Sequence, residues 1–81
     1  MRNLERPGTL EDYRGLEPPE PLLRTLQSLE RGGRTTFPLT VVYDRMPYLL
    51  FPELDQRRFR YGVDPRHDGV YVTIVKRGEH D

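Results

Sequence analysis

Two aspartate–arginine pairs carry the side chains of this sequence that are best suited to recognising a charged ligand. Asp12 and Arg14 precede a proline-rich segment, and Asp44 and Arg45 follow the second predicted strand. If the two strand ends converge, Arg14 and Arg45 could bind an anion, or the carboxylate of a partner, beside the first predicted helix. The four residues could instead form arginine–aspartate ion pairs that tie two loops together, and we favour that structural interpretation.

A run of arginines that alternates with aromatic residues is the second candidate for recognition. The segment reads Arg57-Arg58-Phe59-Arg60-Tyr61. Such alternation of arginines and aromatic residues also occurs on nucleic-acid-binding surfaces. In a strand, however, the aromatic rings lie on one face and Arg58 and Arg60 on the other, so base stacking and phosphate contact would point apart. The 13 basic and 13 acidic residues also cancel, which argues against strong phosphate binding. We therefore expect buried aromatic rings and solvated arginines in this segment.

The sequence offers no arrangement of residues that is typical of a catalytic site. The absence of cysteine excludes thiol nucleophiles, disulfides and zinc–thiolate sites. The two histidines, His67 and His80, could form a metal site with Asp68, but nothing fixes its geometry. Asp68-Gly69 is typical of a turn, so we expect a solvated turn there. The candidate acidic pairs lie at predicted helix starts, where carboxylates are favoured without any catalysis: Glu17 with Glu20, and Glu53 with Asp55. We expect no enzymatic activity, no metal and no cofactor.

Length and composition predict one small domain. The chain has 81 residues, of which 35% are hydrophobic and 32% charged, so it can build one core and no second one. Residues 1–8 are predicted to be a flexible arm, residues 9–76 the domain, and residues 77–81 a disordered tail. The most apolar window, residues 46–52, is far too short to span a bilayer, and no apolar leader follows the first residues. We expect a cytoplasmic protein with no membrane contact.

The first helix is the clearest predicted element. The first turn of a helix suits proline, because proline has no backbone N–H and the N–H groups of this turn have no acceptor within the helix. Three prolines lie at the predicted start: Pro18, Pro19 and Pro21. The same missing amides make this helix start a poor cradle for an anion. Four leucines recur at helical spacing and predict one apolar stripe: Leu22, Leu23, Leu26 and Leu29. Gly32-Gly33 predicts the end of the helix.

Four stretches are predicted strands: residues 9–13, 37–43, 59–63 and 70–76. Residues 64–69 are predicted to be a turn-rich connection. Between the second and third strands, a short helix either begins at Pro47 and bends at Pro52, or begins at Pro52 after an irregular turn. The order βαβαββ predicts a two-layer α/β (α+β) sandwich, with a four-stranded mixed sheet and both helices on one face.

The sheet face opposite the helices is a candidate interface. The residues predicted to lie on it without a cover are Val42, Tyr71, Thr73 and Val75. Such a patch could bind a partner, including a second copy of the chain in a homodimer. Scattered apolar residues on an exposed sheet are equally common, so both alternatives stay open. Tyr48 and Phe51, beside Arg45, form a smaller possible contact patch.

The segment Arg14-Gly15-Leu16-Glu17-Pro18-Pro19-Glu20-Pro21, followed by a leucine-rich helix, resembles the TusA/SirA-like sulfur-carrier family. That family has βαβαββ topology and a Gly-Leu-x-Cys-Pro-x-Pro motif, whose cysteine lies at a helix N-terminus. Gly15, Leu16 and two prolines match the motif, but Pro18 occupies the position of the cysteine. The resemblance therefore implies the fold and not sulfur transfer.

A closer resemblance is to a cysteine-free sister family of bacterial domains of unknown function. Its first block matches Asp12 and residues 14–21, and its second block, Asp-x-x-Pro-x-x-Leu, matches residues 44–50. The similarity extends over residues 9–76. Members often carry histidine where this chain has Tyr43. They often neighbour hemerythrin-like domains or respiratory genes, which implies an accessory role in a redox system.

Together these features predict a small non-enzymatic module that acts by protein–protein interaction. We expect the contact surface on two loops, residues 14–21 and 44–52. The residues predicted to carry it are Arg14, Gly15, Leu16, Pro18, Pro19, Glu20, Pro21, Asp44, Arg45 and Pro47. Two alternatives stay open. One is weak RNA binding by the arginines of residues 57–60, and the other is binding of an anion or small molecule at the first helix N-terminus by Arg14 and Arg45.

Overall fold

The chain folds in the order that its hydrophobic pattern predicts. The structure is a computed structural model, and it describes residues 8–30 and 35–75. Its elements are β1 (Thr9–Asp12), α1 (Glu20–Leu29), β2 (Leu39–Tyr43), α2 (Leu50–Gln56), β3 (Arg60–Arg66) and β4 (Gly69–Val75). The predicted βαβαββ order and the four-stranded mixed sheet are confirmed.

The strand order of the sheet determines where the loops emerge. The order is β1-β2-β4-β3, with β1 parallel to β2 and with β4 antiparallel to both β2 and β3. Because β1 and β2 are parallel neighbours, their carboxyl ends lie at the same edge of the sheet. The chain leaves this edge twice, once toward α1 and once toward α2.

One face of the sheet forms the core. The central strands β2 and β4 contribute six buried residues in register, which are Leu39, Val41, Tyr43, Val70, Val72 and Ile74. Leu50 and Leu54 of α2 belong to the same cluster, and leucines of α1 pack against it. Both helices therefore cover this face, as predicted, and neither of them covers the opposite face.

Helix α1 turns polar residues toward the sheet. Thr25 and Ser28 are its buried residues, and Thr25 Oγ1 donates to the carbonyl of Pro21 at 2.8 Å while lying 2.6 Å from Tyr43 Oη. The predicted leucine stripe is wrong at Leu23, which is 47% exposed. Its other members, Leu22, Leu26 and Leu29, are partly buried beside the core. This rotation gives the buried hydroxyl of Tyr43 a polar partner.

Helix α2 begins three residues after Pro47. It starts at Leu50, so Pro52 falls in the first turn, where amides have no acceptor within the helix. This position is closer to the second predicted alternative, an irregular turn before the helix. Helix α1 ends at Leu29, and the predicted end at Gly32-Gly33 lies outside the described residues. Among the described residues, no helix is both long and apolar enough to cross a membrane.

Strands β3 and β4 form a longer hairpin than predicted. β3 continues to Arg66, and the turn consists of His67 and Asp68 alone. The prediction of a turn-rich connection over residues 64–69 is therefore wrong. Pro65 is compatible with the strand because β3 is an edge strand and one of its sides has no neighbouring strand in the described sheet.

Candidate functional site

The two predicted interaction loops, residues 14–21 and 44–52, meet at the edge where β1 and β2 end. Residues 20–21 belong to α1 and residues 50–52 to α2, so the first loop is residues 13–19 and the second loop residues 44–49. The N–H of Gly15 donates a hydrogen bond of 2.7 Å to Asp44 Oδ2, which joins the loops directly. Gly15 has φ +90°, a left-handed conformation that glycine adopts without strain. The predicted convergence of the two strand ends is confirmed.

A cleft of about 600 Å³ lies between the two loops and the start of α1. Most of its lining is apolar or aromatic, and it includes eight of the ten residues predicted to carry the contact surface: Gly15, Leu16, Pro18, Pro19, Pro21, Asp44, Arg45 and Pro47. The other two predicted residues, Arg14 and Glu20, do not line it. A cleft of this volume is large enough to hold a ligand or several side chains of a partner.

Two buried tyrosines lie at the base of the cleft. Tyr13 and Tyr43 are 7% and 4% exposed, and their rings meet edge to face at 6.4 Å. Tyr43 Oη pairs with Thr25 Oγ1, and Tyr13 Oη donates to Glu11 Oε1 at 3.2 Å. Burial raises the pKa of both tyrosines, so both stay neutral at physiological pH. Both hydroxyl groups thus have partners inside the protein.

The outer lip of the cleft carries two strongly exposed apolar residues. Tyr48 is 73% and Leu49 74% exposed, and both line the cleft. The Tyr48 ring meets Phe51 edge to face at 6.5 Å, and Phe51 stacks on Tyr61 at 5.3 Å with nearly parallel planes. The sequence identified Tyr48 and Phe51 as a contact patch but missed Leu49. No local signal separates Leu49 from Leu50, which lies between the same two prolines and is buried.

Charged side chains at the cleft have few partners. Glu17 and Arg45 are both exposed, Glu17 on the first loop and Arg45 on the second. Within the described part of the chain, neither forms an ion pair. No arginine–aspartate ion pair joins the two loops in the described part of the chain, and the carboxylate of Asp44 joins them through the Gly15 amide instead.

Arg14 lies on the opposite face of the sheet rather than in the cleft. Its guanidinium donates to both carboxylate oxygens of Asp12, at 2.9 and 2.7 Å, and to the carbonyl of Asp68 at 2.9 Å. These hydrogen bonds lower the pKa of Asp12 from 3.8 to about 2. Arg14 thus has the structural role that we favoured, but it ties the end of β1 to the β3–β4 turn and not to the loop that follows β2.

The predicted apolar patch on this open face is smaller than expected. Val42 is 2% exposed, so its prediction as an uncovered residue is wrong. A Cβ added to Gly69 would lie 3.1 Å from Val42 and 3.2 Å from Arg14, which shows that the arginine stem runs beside the valine. Tyr71 and Thr73 are half-buried. The exposed apolar residues of this face are Val75, at 39%, and Leu10 on β1, at 68%.

The arginines of residues 57–60 do not form one surface. Arg57 bonds to Glu53 at 2.6 Å and to Glu30 at 3.0 Å, so it links the ends of the two helices. Arg58 has φ +65° in the turn after α2, and Arg60 pairs in register with Val75, on the open face. Phe59 is 8% exposed and belongs to the core, as we expected for the aromatic rings of this segment.

Neither a metal site nor a known relative identifies the cleft. Among residues 8–30 and 35–75, no group of three or more histidine or acidic side chains could hold a metal ion. His67 lies in the β3–β4 turn, and His80 is outside the described residues. No protein-family model, curated protein or solved structure matches this chain. The similarity to the TusA/SirA-like families therefore stays a prediction, and the function must be inferred from the cleft.

Proposed function

We propose that this chain is a non-enzymatic binding module whose cleft holds an extended apolar segment of a partner protein. The observation that carries the proposal is the exposed pair Tyr48 and Leu49 on the lip of an apolar cleft. Two adjacent large apolar side chains that are nearly three-quarters exposed are unfavourable in water, and they are typical of a surface that a partner covers. Tyrosine is also enriched among the residues that dominate binding energy at protein interfaces.

The polar groups of the cleft favour a protein segment over a small molecule. Small-molecule sites usually aim a few polar groups at the ligand to fix its orientation. Here the hydroxyl groups of Tyr13 and Tyr43 at the base of the cleft are bonded within the protein. The charged side chains of the lining that have no described ion pair, Glu17 and Arg45, are exposed on separate loops. The contacting rings of Tyr48, Phe51 and Tyr61 extend the apolar surface beyond the cleft. A polypeptide is long enough to lie along both the cleft and these rings.

The two loops are built to hold their shape before a partner arrives. Prolines in both loops fix backbone angles, and the bond between Gly15 and Asp44 connects the loops. A surface that is already ordered loses little conformational entropy on binding, so more of the contact energy contributes to affinity. This rigidity is consistent with binding rather than with a catalytic cycle that opens and closes.

Selection from a random peptide library tests this proposal directly, because a library samples many candidate segments at once. We expect a displayed library of dodecapeptides to yield apolar sequences that bind the chain. Titration of such a peptide into the isotope-labelled chain should shift the amide signals of Leu16, Met46 and Leu49, and leave those of Thr40 and Thr73 on the open face unchanged. A library that yields no binder, or binders that shift only the open face, would contradict the proposal.

A second copy of the chain is a separate candidate partner for the open face. The observation in its favour is the exposure of Leu10 and Val75 on that face. If the face pairs with itself, sedimentation equilibrium should show a dimer, and Leu10→Gln should shift it toward monomer. A monomer at every accessible concentration would remove this candidate while leaving the cleft proposal intact.

A further inference from the structure

The cleft has one exposed charge of each sign on its two walls. Three charged residues of the described chain line it, and Asp44 already bonds to the Gly15 amide. Glu17 on the first loop and Arg45 on the second are exposed, and neither has an ion-pair partner among residues 8–30 and 35–75. By contrast, Glu20 is paired with Arg24 at 3.0 Å. Glu17 and Arg45 are therefore the charges that an occupant of the cleft would meet.

We propose that the partner segment carries one acidic and one basic residue flanking its apolar side chains, the acid toward Arg45 and the base toward Glu17. This inference rests on the proposed function, because it describes the occupant of the same cleft. Apolar contacts supply the affinity but are nearly insensitive to the direction of the chain. Opposite charges on opposite walls make one direction of the segment favourable and the reverse direction repulsive, so they determine orientation.

The size of the effect follows from the exposure of both charges. Solvent-exposed ion pairs contribute little, so each pair should change affinity by at most about fivefold. Reversing a charge adds repulsion to the lost attraction, which makes a charge reversal easier to detect than a neutral substitution. Both side chains are exposed and form no ion pair with a described residue, and we therefore expect the reversed variants to fold as the original chain does.

The test is a comparison of peptide selections against the original chain and the double variant Glu17→Lys, Arg45→Glu. The probe is the same displayed library of random dodecapeptides for both. Against both targets, the selected peptides should carry one acidic and one basic residue around an apolar centre. A spin label attached beside the acidic residue of such a peptide should broaden the amide signal of Met46 most strongly in the original chain and that of Leu16 most strongly in the double variant. A selected peptide with its acid replaced by lysine should bind the original chain more weakly by severalfold and bind Arg45→Glu more tightly.

The outcomes separate this inference from the proposed function. Peptides that shift the amide signals of the cleft but lack the acidic and the basic residue would overturn the inference and leave the proposed function standing. A spin label that broadens the same loop most strongly in both targets would overturn it as well. If the library yields no peptide that binds in the cleft, both proposals fail together.

Discussion

The carboxylate of Asp44 accepts a hydrogen bond of 2.7 Å from the amide of Gly15, and the two residues are 29 positions apart in the chain. This bond connects the loop that follows β1 to the loop that follows β2. It holds the two loops that form the walls of the cleft, residues 13–19 and 44–49, next to each other. The two loops therefore behave as one surface, and several consequences of this arrangement can be measured.

Removal of the Asp44 carboxylate should loosen the cleft. We expect Asp44→Ala to lower the free energy of unfolding by about 1 kcal/mol, since the Gly15 amide is solvent-exposed and water can replace part of the bond. Urea unfolding measures this change, and hydrogen exchange of the Gly15 amide should become faster. Glu17→Ala is the matched control, because it removes from the same cleft an exposed carboxylate that pairs with no described residue. Equal unfolding free energies and equal exchange rates of the Gly15 amide in the two variants would show that the bond does not join the loops.

Gly15 should not tolerate a side chain because of its backbone angle. No described atom lies within 4 Å of an added Cβ, so the loss in Gly15→Ala comes from φ +90° alone and should be about 1 kcal/mol. Gly62→Ala in β3 is the control, since its added Cβ also meets open space and its φ lies outside the left-handed region. We expect Gly62→Ala to be neutral or slightly stabilising in urea unfolding. A neutral Gly15→Ala would contradict the left-handed conformation.

The buried hydroxyl pair between α1 and β2 should be energetically coupled. Thr25→Val keeps the shape of the side chain but leaves Tyr43 Oη without its partner, and we expect a loss of about 1–3 kcal/mol. Tyr43→Phe removes the other hydroxyl, and the double variant should lose less than the sum of the two single changes. Chemical denaturation of all three variants gives the coupling energy. Additive losses would mean that the two hydroxyl groups do not interact.

The ion pair between Asp12 and Arg14 predicts a defined dependence on pH. Hydrogen bonds from Arg14 lower the pKa of Asp12 from 3.8 to about 2. Because the pKa is lower in the folded chain than in the unfolded chain, the pair stabilises the fold above about pH 4, and this contribution disappears as the pH falls toward 2. The difference in unfolding free energy between the original chain and Asp12→Asn should therefore become smaller as the pH falls from about 4 toward 2. A difference that does not change with pH would contradict the assignment.

The sequence predicted the topology and the meeting of the two loops for a physical reason. Hydrophobic period and proline positions are local signals, and they identify the strands and the start of α1. Once β1 and β2 are parallel neighbours, the convergence of residues 13–19 and 44–49 follows from the topology. The edge of the sheet at which the cleft lies could therefore be predicted from the sequence.

What the sequence did not predict depends on contacts between distant residues. Thr25 lies buried against Tyr43, which is 18 positions away, and the two hydroxyl groups pair. The spacing of the leucines in α1 does not indicate this contact. Val42 is covered beside the stem of Arg14, whose guanidinium reaches Asp68 over a separation of 54 positions. Strand β3 extends over turn-forming residues because pairing with β4 outweighs their local preference. In each case a tertiary contact overrides a local pattern.

The most direct test of the central claim compares two leucines of similar exposure on different faces. Leu49 is 74% exposed at the lip of the cleft, and Leu10 is 68% exposed on the open face of the sheet. For a peptide selected against the original chain, we expect Leu49→Gln to weaken binding by about tenfold or more, because its burial is worth more than 1 kcal/mol, and Leu10→Gln to leave binding unchanged. Equal affinities of the two variants, or a loss confined to Leu10→Gln, would contradict binding in the cleft.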